Sequence, residues 1–75
     1  MTENEKIIFV ENAIQKLFPN IPTTKLTKET NLLDLGVDSL GIVELQMYYE
    51  EETGETTLDP EGAVVTVGDL IKLIP

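Results

Sequence analysis

Apolar residues recur every three or four positions in two separate stretches of this chain, the spacing of helix faces that must be buried against something. In the first stretch Ile7, Val10, Ile14 and Leu17 mark one face, broadened by Phe9, Ala13 and Phe18. In the second, Ile42, Leu45 and Tyr49 form one row, while Leu40, Val43 and Met47 form another. Local signals bound both stretches. Thr2-x-x-Glu5 is a capping box, in which side chain and backbone satisfy each other's donors at a helix start. Pro19 lacks an amide hydrogen and disfavours helix in the residue before it, so the first helix ends near Leu17 or Phe18. Asp38 can cap a second helix running from about Ser39 to Thr53, its charge opposing the positive helix end. Gly54 is placed to stop that helix in a left-handed conformation.

Between the two helices, residues 19–38 read as a long connection. Pro19 and Pro22 stiffen its start, and Thr23, Thr24, Thr27, Thr30 and Asn31 favour turns over continuous helix. Leu26, Leu32, Leu33 and Leu35 predict that it folds back onto the core, and Gly36 supplies a turn that an L-residue would resist. Beyond Gly54, Asp59-Pro60 predicts a short helix reaching about Val64. Thr66-x-x-Asp69 starts a last helix with Val67, Leu70, Ile71 and Ile74 as its inward stripe. Val64-Val65-Thr66-Val67 is β-branched, but a lone strand has nothing to pair with, so a strand is rejected. The expectation is an all-α fold: a small four-helix bundle of three main helices plus a short third one, in one domain over residues 1–75.

The chain contains no cysteine and no histidine. Disulfides, thiolate or imidazole metal sites, and the commonest general base are therefore all outside its chemistry. Its net charge is −9, distributed unevenly. Residues 1–30 balance Lys6, Lys16, Lys25 and Lys28 against Glu3, Glu5, Glu11 and Glu29, whereas from residue 31 onward ten acids face Lys72 alone. Such a field repels nucleic acid and anionic membranes and steers basic protein surfaces toward itself. The same pattern also serves as a solvated face that keeps a small protein soluble. No apolar run approaches a membrane span, and the first residues lack the basic start and apolar core of a signal peptide, so a cytoplasmic protein is expected.

Ser39 lies at the mouth of the second predicted helix, behind an acid and ahead of a leucine. By residue type alone such a serine is an ordinary helix-start residue. It cannot be a hydrolase nucleophile without a base, and Gly36-x-x-Ser39 is not the nucleophile elbow of that enzyme class. As an acceptor of a group delivered by another enzyme it needs only exposure and a recognisable surface. Leu35-Gly36-Val37-Asp38-Ser39-Leu40, continuing through Val43-Glu44-Leu45, Met47 and Glu50-Glu51-Glu52, closely resembles the Asp-Ser-Leu attachment site and second helix of acyl carrier proteins. The first helix, the long loop and the Thr66-Val67 start of the last helix fit the family's order.

The resemblance implies a non-catalytic carrier. Ser39 would bear 4′-phosphopantetheine taken from coenzyme A by a separate, magnesium-dependent phosphopantetheinyl transferase. Asp38, Leu40, Val43, Glu44, Met47, Glu50 and Glu51 would form the face that docks the transferase and acyl-loading or acyl-processing enzymes through their basic patches. Ile42, Leu45, Tyr49, Val64 and Leu70 would line the interior, where the family shelters acyl chains; plain core is the other reading of these five. A monomer is implied, with no nucleic acid partner. Four features depart from the fatty-acid pattern. Gly41 stands where those carriers have an acid, removing a docking charge and loosening the helix start, and a glycine there also resembles carriers loaded with D-alanine. Tyr48-Tyr49 replaces smaller or aliphatic residues, Thr53 stands where an aromatic is common, and Glu55-Thr56-Thr57-Leu58 is an unusual lead. They point to a specialised carrier with a short or unusual cargo, in fatty-acid, polyketide, lipid-tailoring or aminoacyl chemistry. The competing reading is an unmodified acidic helical adaptor using the Leu40-Val43-Met47 row. Metal binding by the acids from Glu50 to Glu61 lacks the spacing and glycine of a calcium loop.

Overall fold

The computed structural model describes residues 1–22 and 25–75; the turn expected at Thr23 and Thr24 lies outside the described residues. Helix α1 spans Glu3–Leu17. Its start is the reciprocal capping box read from the sequence: Thr2 N donates to Glu5 Oε1 at 2.8 Å, and Glu5 N donates to Thr2 Oγ1 at 3.2 Å. Those bonds hold the Glu5 carboxyl below the usual carboxylate range. Val10, Ala13 and Ile14 are buried, and Ile7, Phe9, Leu17 and Phe18 pack half-buried around them.

The connection contains a helix that the sequence reading did not foresee, α2, over Leu32–Leu35. Asn31 Oδ1 accepts from Asp34 N at 3.0 Å and caps it. Its end is a Schellman turn: Val37 N donates to Leu32 O and Gly36 N to Leu33 O, each at 2.9 Å, with Gly36 left-handed at φ +101°. Leu32 and Val37, the two apolar partners of that motif, are fully buried. Leu26 is also buried and Leu35 half-buried, as expected, but Leu33 is not. One helical step from Leu32 turns its side chain by about 100°, and it is 68% exposed.

Helix α3 spans Ser39–Thr53 between the caps read from the sequence, Asp38 and a left-handed Gly54 at φ +75°. Helix α4 spans Val67–Ile71, with Thr66 and Asp69 in a second capping box. Val67, Leu70, Ile71 and Ile74 are all buried, together with Leu73. The short helix expected from Asp59-Pro60 to Val64 does not form; residues 54–65 are irregular. Pro60, Glu61, Gly62 and Ala63 are exposed, so a turn there would bury no face, and Gly62 adds its own cost. Tertiary bonds hold this segment instead. Thr57 N and Oγ1 donate to Glu50 Oε2, and Leu58 N donates to Leu73 O at 2.8 Å.

Residues 64–67 form no strand, yet they have a partner after all: Asn31 and Thr66 make an isolated antiparallel bridge. Leu32 N donates to Val65 O at 2.8 Å and Val67 N to Thr30 O at 2.9 Å. A rung of backbone bonds thus clips the connection ahead of α3 to the start of α4. Tyr49, Leu32, Val37 and Val67 are the largest fully buried side chains. The core therefore takes residues from the connection as well as from α3 and α4.

Gly41 proves to be a packing position. It is buried, and a Cβ built on it would lie 2.9 Å from Val37 Cγ1 and 3.2 Å from Phe18 Cζ. An acid there would point into the fold, so its absence removes nothing from the outer face of α3. In an open helix Gly41→Ala would add about 1 kcal/mol of stability. Here overpacking of about 1–3 kcal/mol opposes that gain, and urea unfolding should show a net loss of up to about 2 kcal/mol. A raised midpoint would mean that the site is open.

Asp69 gives a pH signature. Val65 N and Thr66 N donate to its Oδ2 at 3.0 and 3.1 Å, and these bonds hold the carboxyl below its ordinary value. A folded-state value below the unfolded one contributes stability above the unfolded pKa and loses it as pH falls through the folded one. The midpoint difference between wild type and Asp69→Asn should be full at pH 7 and shrink below about pH 4. A difference constant into strong acid would contradict this account.

Candidate functional site

Ser39 is placed by its immediate N-terminal neighbours. The Schellman turn at Gly36 reverses the chain, Val37 anchors it in the core, and Asp38 then caps α3 with its Oδ1 accepting from Gly41 N at 2.9 Å. Ile42 N donates to Asp38 O at 3.0 Å, the first bond of the helix ladder. Ser39 is therefore the first residue of α3, beside amides that carry the positive end of the helix dipole. It is exposed, and among the described residues nothing takes a hydrogen bond from its hydroxyl or gives one to it. A hydroxyl free of partners at a helix start, fixed in place from behind, leaves room for a covalent phosphate ester. The anionic ester would sit where the dipole favours it. The residues present thus fit the phosphopantetheine group.

The outer face of α3 carries the row read from the sequence. Leu40 is 72% exposed, and Val43 and Met47 about half exposed. Glu44 and Glu51 are exposed beside it. Glu50 differs from its expected placing: it is half-buried, and its Oε2 takes two bonds from Thr57, which ties it to the segment after α3. Leu33, on α2 ahead of the serine, is an exposed leucine that the sequence reading assigned to the core. The signal was available in Asn31-x-x-Asp34 with Gly36 behind it, a capped single turn on which Leu32 and Leu33 cannot both face inward.

The five interior residues divide. Leu45, Tyr49 and Leu70 are buried and line a hollow of about 10 Å³ with Phe9, Val10 and Gln46. Ile42 is half-buried against the core but does not line it. Val64 borders a different space, an open groove of about 550 Å³ between residues 58–64 and α4. Tyr49 meets the Phe9 ring edge-on at 5.3 Å, and its hydroxyl donates to Glu55 Oε1 at 2.5 Å. That bond, followed by burial, pushes the phenol above its ordinary value. Tyr48 packs on the other side of Phe9 at 5.7 Å, with Lys16 Nζ 5.9 Å from its ring centre. Among the described residues no three acidic side chains converge on a point that could hold a metal ion, and no helix is long and apolar enough to cross a membrane.

Comparison with known proteins follows the same outline. The sequence model of the family described as "Phosphopantetheine attachment site" matches residues 10–74. The acyl carrier protein of Sinorhizobium fredii (strain NBRC 101917 / NGR234) is 52% identical over 42 residues, covering 55% of this chain and 54% of that protein. The acyl carrier protein AcpP of Rhizobium meliloti (strain 1021) matches to the same extent. The aligned part is thus about half the length of the curated relatives. No solved structure gives a significant match. With nearly all of its length inside the family match, and with a helix-start serine whose surroundings suit an ester, the chain belongs to the phosphopantetheine attachment-site family, whose prosthetic group is covalently held 4′-phosphopantetheine.

Proposed function

We propose that this chain is an acyl carrier without catalysis of its own, and that Ser39 is its attachment residue. The observation that carries the reading is the exposed, unpartnered Ser39 hydroxyl at the first position of α3, inside a chain matched from residue 10 to 74 by the attachment-site family. When bound, 4′-phosphopantetheine supplies a terminal thiol that holds acyl units as thioesters. The chain's own residues present, orient and recruit. Without histidine, the chain leaves the removal of the Ser39 proton to a separate transferase. Asp38 fixes the helix start on which the hydroxyl stands. Leu40, Val43 and Met47, flanked by Glu44 and Glu51, meet apolar contacts rimmed by basic patches on the transferase and on enzymes that load and process the cargo. Glu50 joins this face only through the carboxylate oxygen that Thr57 leaves free. Charge-steered docking of this kind gives fast exchange rather than tight binding, which suits a shuttle.

The tyrosine pair and the irregular segment after α3 support a specialised rather than housekeeping carrier; a cytoplasmic location is proposed with it. Incubating the purified chain with coenzyme A, magnesium and a broad-specificity phosphopantetheinyl transferase should add one phosphopantetheine by intact mass, and none to Ser39→Ala. No addition, with the source's own transferase also failing, would leave the exposed row to an unmodified adaptor. Leu40→Ala should slow modification about fivefold to tenfold in kcat/KM while leaving the thermal midpoint in place. An unchanged rate would remove Leu40 from the docking face.

A further inference from the structure

We propose that Tyr49 closes the interior of this chain to its cargo, so that the fold shelters no acyl chain and favours units that are short or polar. A long aliphatic chain would stay on the outside of the helices. The proposal rests on the carrier reading and concerns where the cargo goes.

An aliphatic thioester gains most by leaving water, so an apolar hollow within reach of α3 would draw it in. The hollow between α1, α3 and α4 has the right walls, since Phe9, Val10, Leu45, Tyr49 and Leu70 surround it. It has the wrong volume. About 10 Å³ is room for roughly one water molecule, and for no run of methylenes. The Tyr49 ring fills the remainder at 1% exposure. The ring is also tethered. It rests edge-on against Phe9, and its hydroxyl is bonded to Glu55 Oε1. Swinging it aside would break the bond to Glu55 and leave a phenol without a partner.

The segment after α3 is fastened over the same hollow. Gln46 Nε2 donates to Thr57 Oγ1 at 3.1 Å and to Leu58 O at 3.3 Å, while Glu50 holds Thr57 from the other side. Gln46 and Thr57 are themselves part of the hollow's wall. Ring and segment are thus joined into one closure through Glu55 and Thr57. The larger groove beside α4 offers no substitute, because Asp59, Glu61, Asp69 and Lys72 line it and it lies open to solvent.

The test loads the chain at Ser39 from acetyl-, butyryl-, hexanoyl-, octanoyl- and decanoyl-coenzyme A with magnesium and a broad-specificity phosphopantetheinyl transferase, confirms each load by intact mass, and records thermal midpoints. In wild type the midpoint should stay flat from butyryl to decanoyl. In Tyr49→Leu it should climb with length, by about 3–6 °C for each methylene taken into a domain of this size. Tyr49→Phe keeps the ring without the hydroxyl and should stay flat. A wild-type midpoint that climbs with length would overturn the proposal. Should Tyr49→Leu fail to fold, wild type still decides by NMR: nuclear Overhauser contacts between the octanoyl methyl and the Phe9 or Tyr49 ring protons would overturn it, and their absence would support it. Failure to load by mass with both the broad-specificity and the source's own transferase rejects the carrier reading and this proposal with it, an outcome distinct from either thermal result.

Discussion

The rung between Asn31 and Thr66 is the contact on which the rest depends. The chain between α1 and α3 is long, and its one-turn helix could not persist alone, because nucleating a helix fixes several residues for a single bond. Two backbone bonds, Leu32 N to Val65 O and Val67 N to Thr30 O, bind it to the start of α4. Gly68 tightens the same junction, since its amide donates to Lys28 O at 2.9 Å and a Cβ there would approach that oxygen to 3.0 Å. Leu32, Val37 and Val67, close to these bonds in sequence, are fully buried members of the one core. Everything about the serine follows from that clip. Val37 is fixed, so Asp38 is fixed, and Ser39 is delivered to the surface at the beginning of α3.

The exposed acidic face of α3 is built from the same parts that stabilise the fold, and the division of labour is by atom. Asp38 spends one carboxylate oxygen on the Gly41 amide, and Glu50 spends one on Thr57. Neither is simply a docking charge, although both belong to the acidic stretch that gives the chain its field. The remaining exposed acids need no fixed geometry, because steering depends on summed charge over distances near the screening length. This explains how one helix can combine an apolar outer row with solubility. Leu40, Val43 and Met47 would invite self-association on a neutral surface, but an overall charge of −9 opposes the approach of a second copy.

Where the sequence spoke through local chemistry, it was legible to the residue. The capping pairs at Thr2 and Thr66, the cap at Asp38, and the glycine at 54 set the limits of α1, α3 and α4, because each is a bond between neighbours in sequence. The reading lost accuracy where distant contacts decide. Asp59-Pro60 has the chemistry of a helix start, but a helix there would have no face to bury, and bonds from Thr57 to Glu50 and from Leu58 to Leu73 hold the irregular segment just ahead of it instead. The leucine run at 32–35 looked like a loop folding inward, since the partner of its backbone, Val65, lies more than thirty residues on. The place of Ser39 at the start of α3 was legible because its setting is local; Gly41 was misread because Phe18, one of the two side chains crowding it, lies outside its own helix.

Gly41 and Tyr49 together show how the inward side of α3 is used. At the serine end the helix must come so close to Val37 and the Phe18 ring that even a methyl group is too much. Two turns later the same side carries Tyr49, the largest fully buried side chain among the described residues. Small near the serine and large beyond it, the row matches side-chain volume to the space available, as close packing demands. An aliphatic residue at 49 would leave a hollow there, at the cost of the contacts that the ring makes with Phe9. The tyrosine ring fills that space, and its hydroxyl also reaches Glu55 in the segment beyond α3. The filled interior and the irregular path of residues 54–65 are therefore structurally linked.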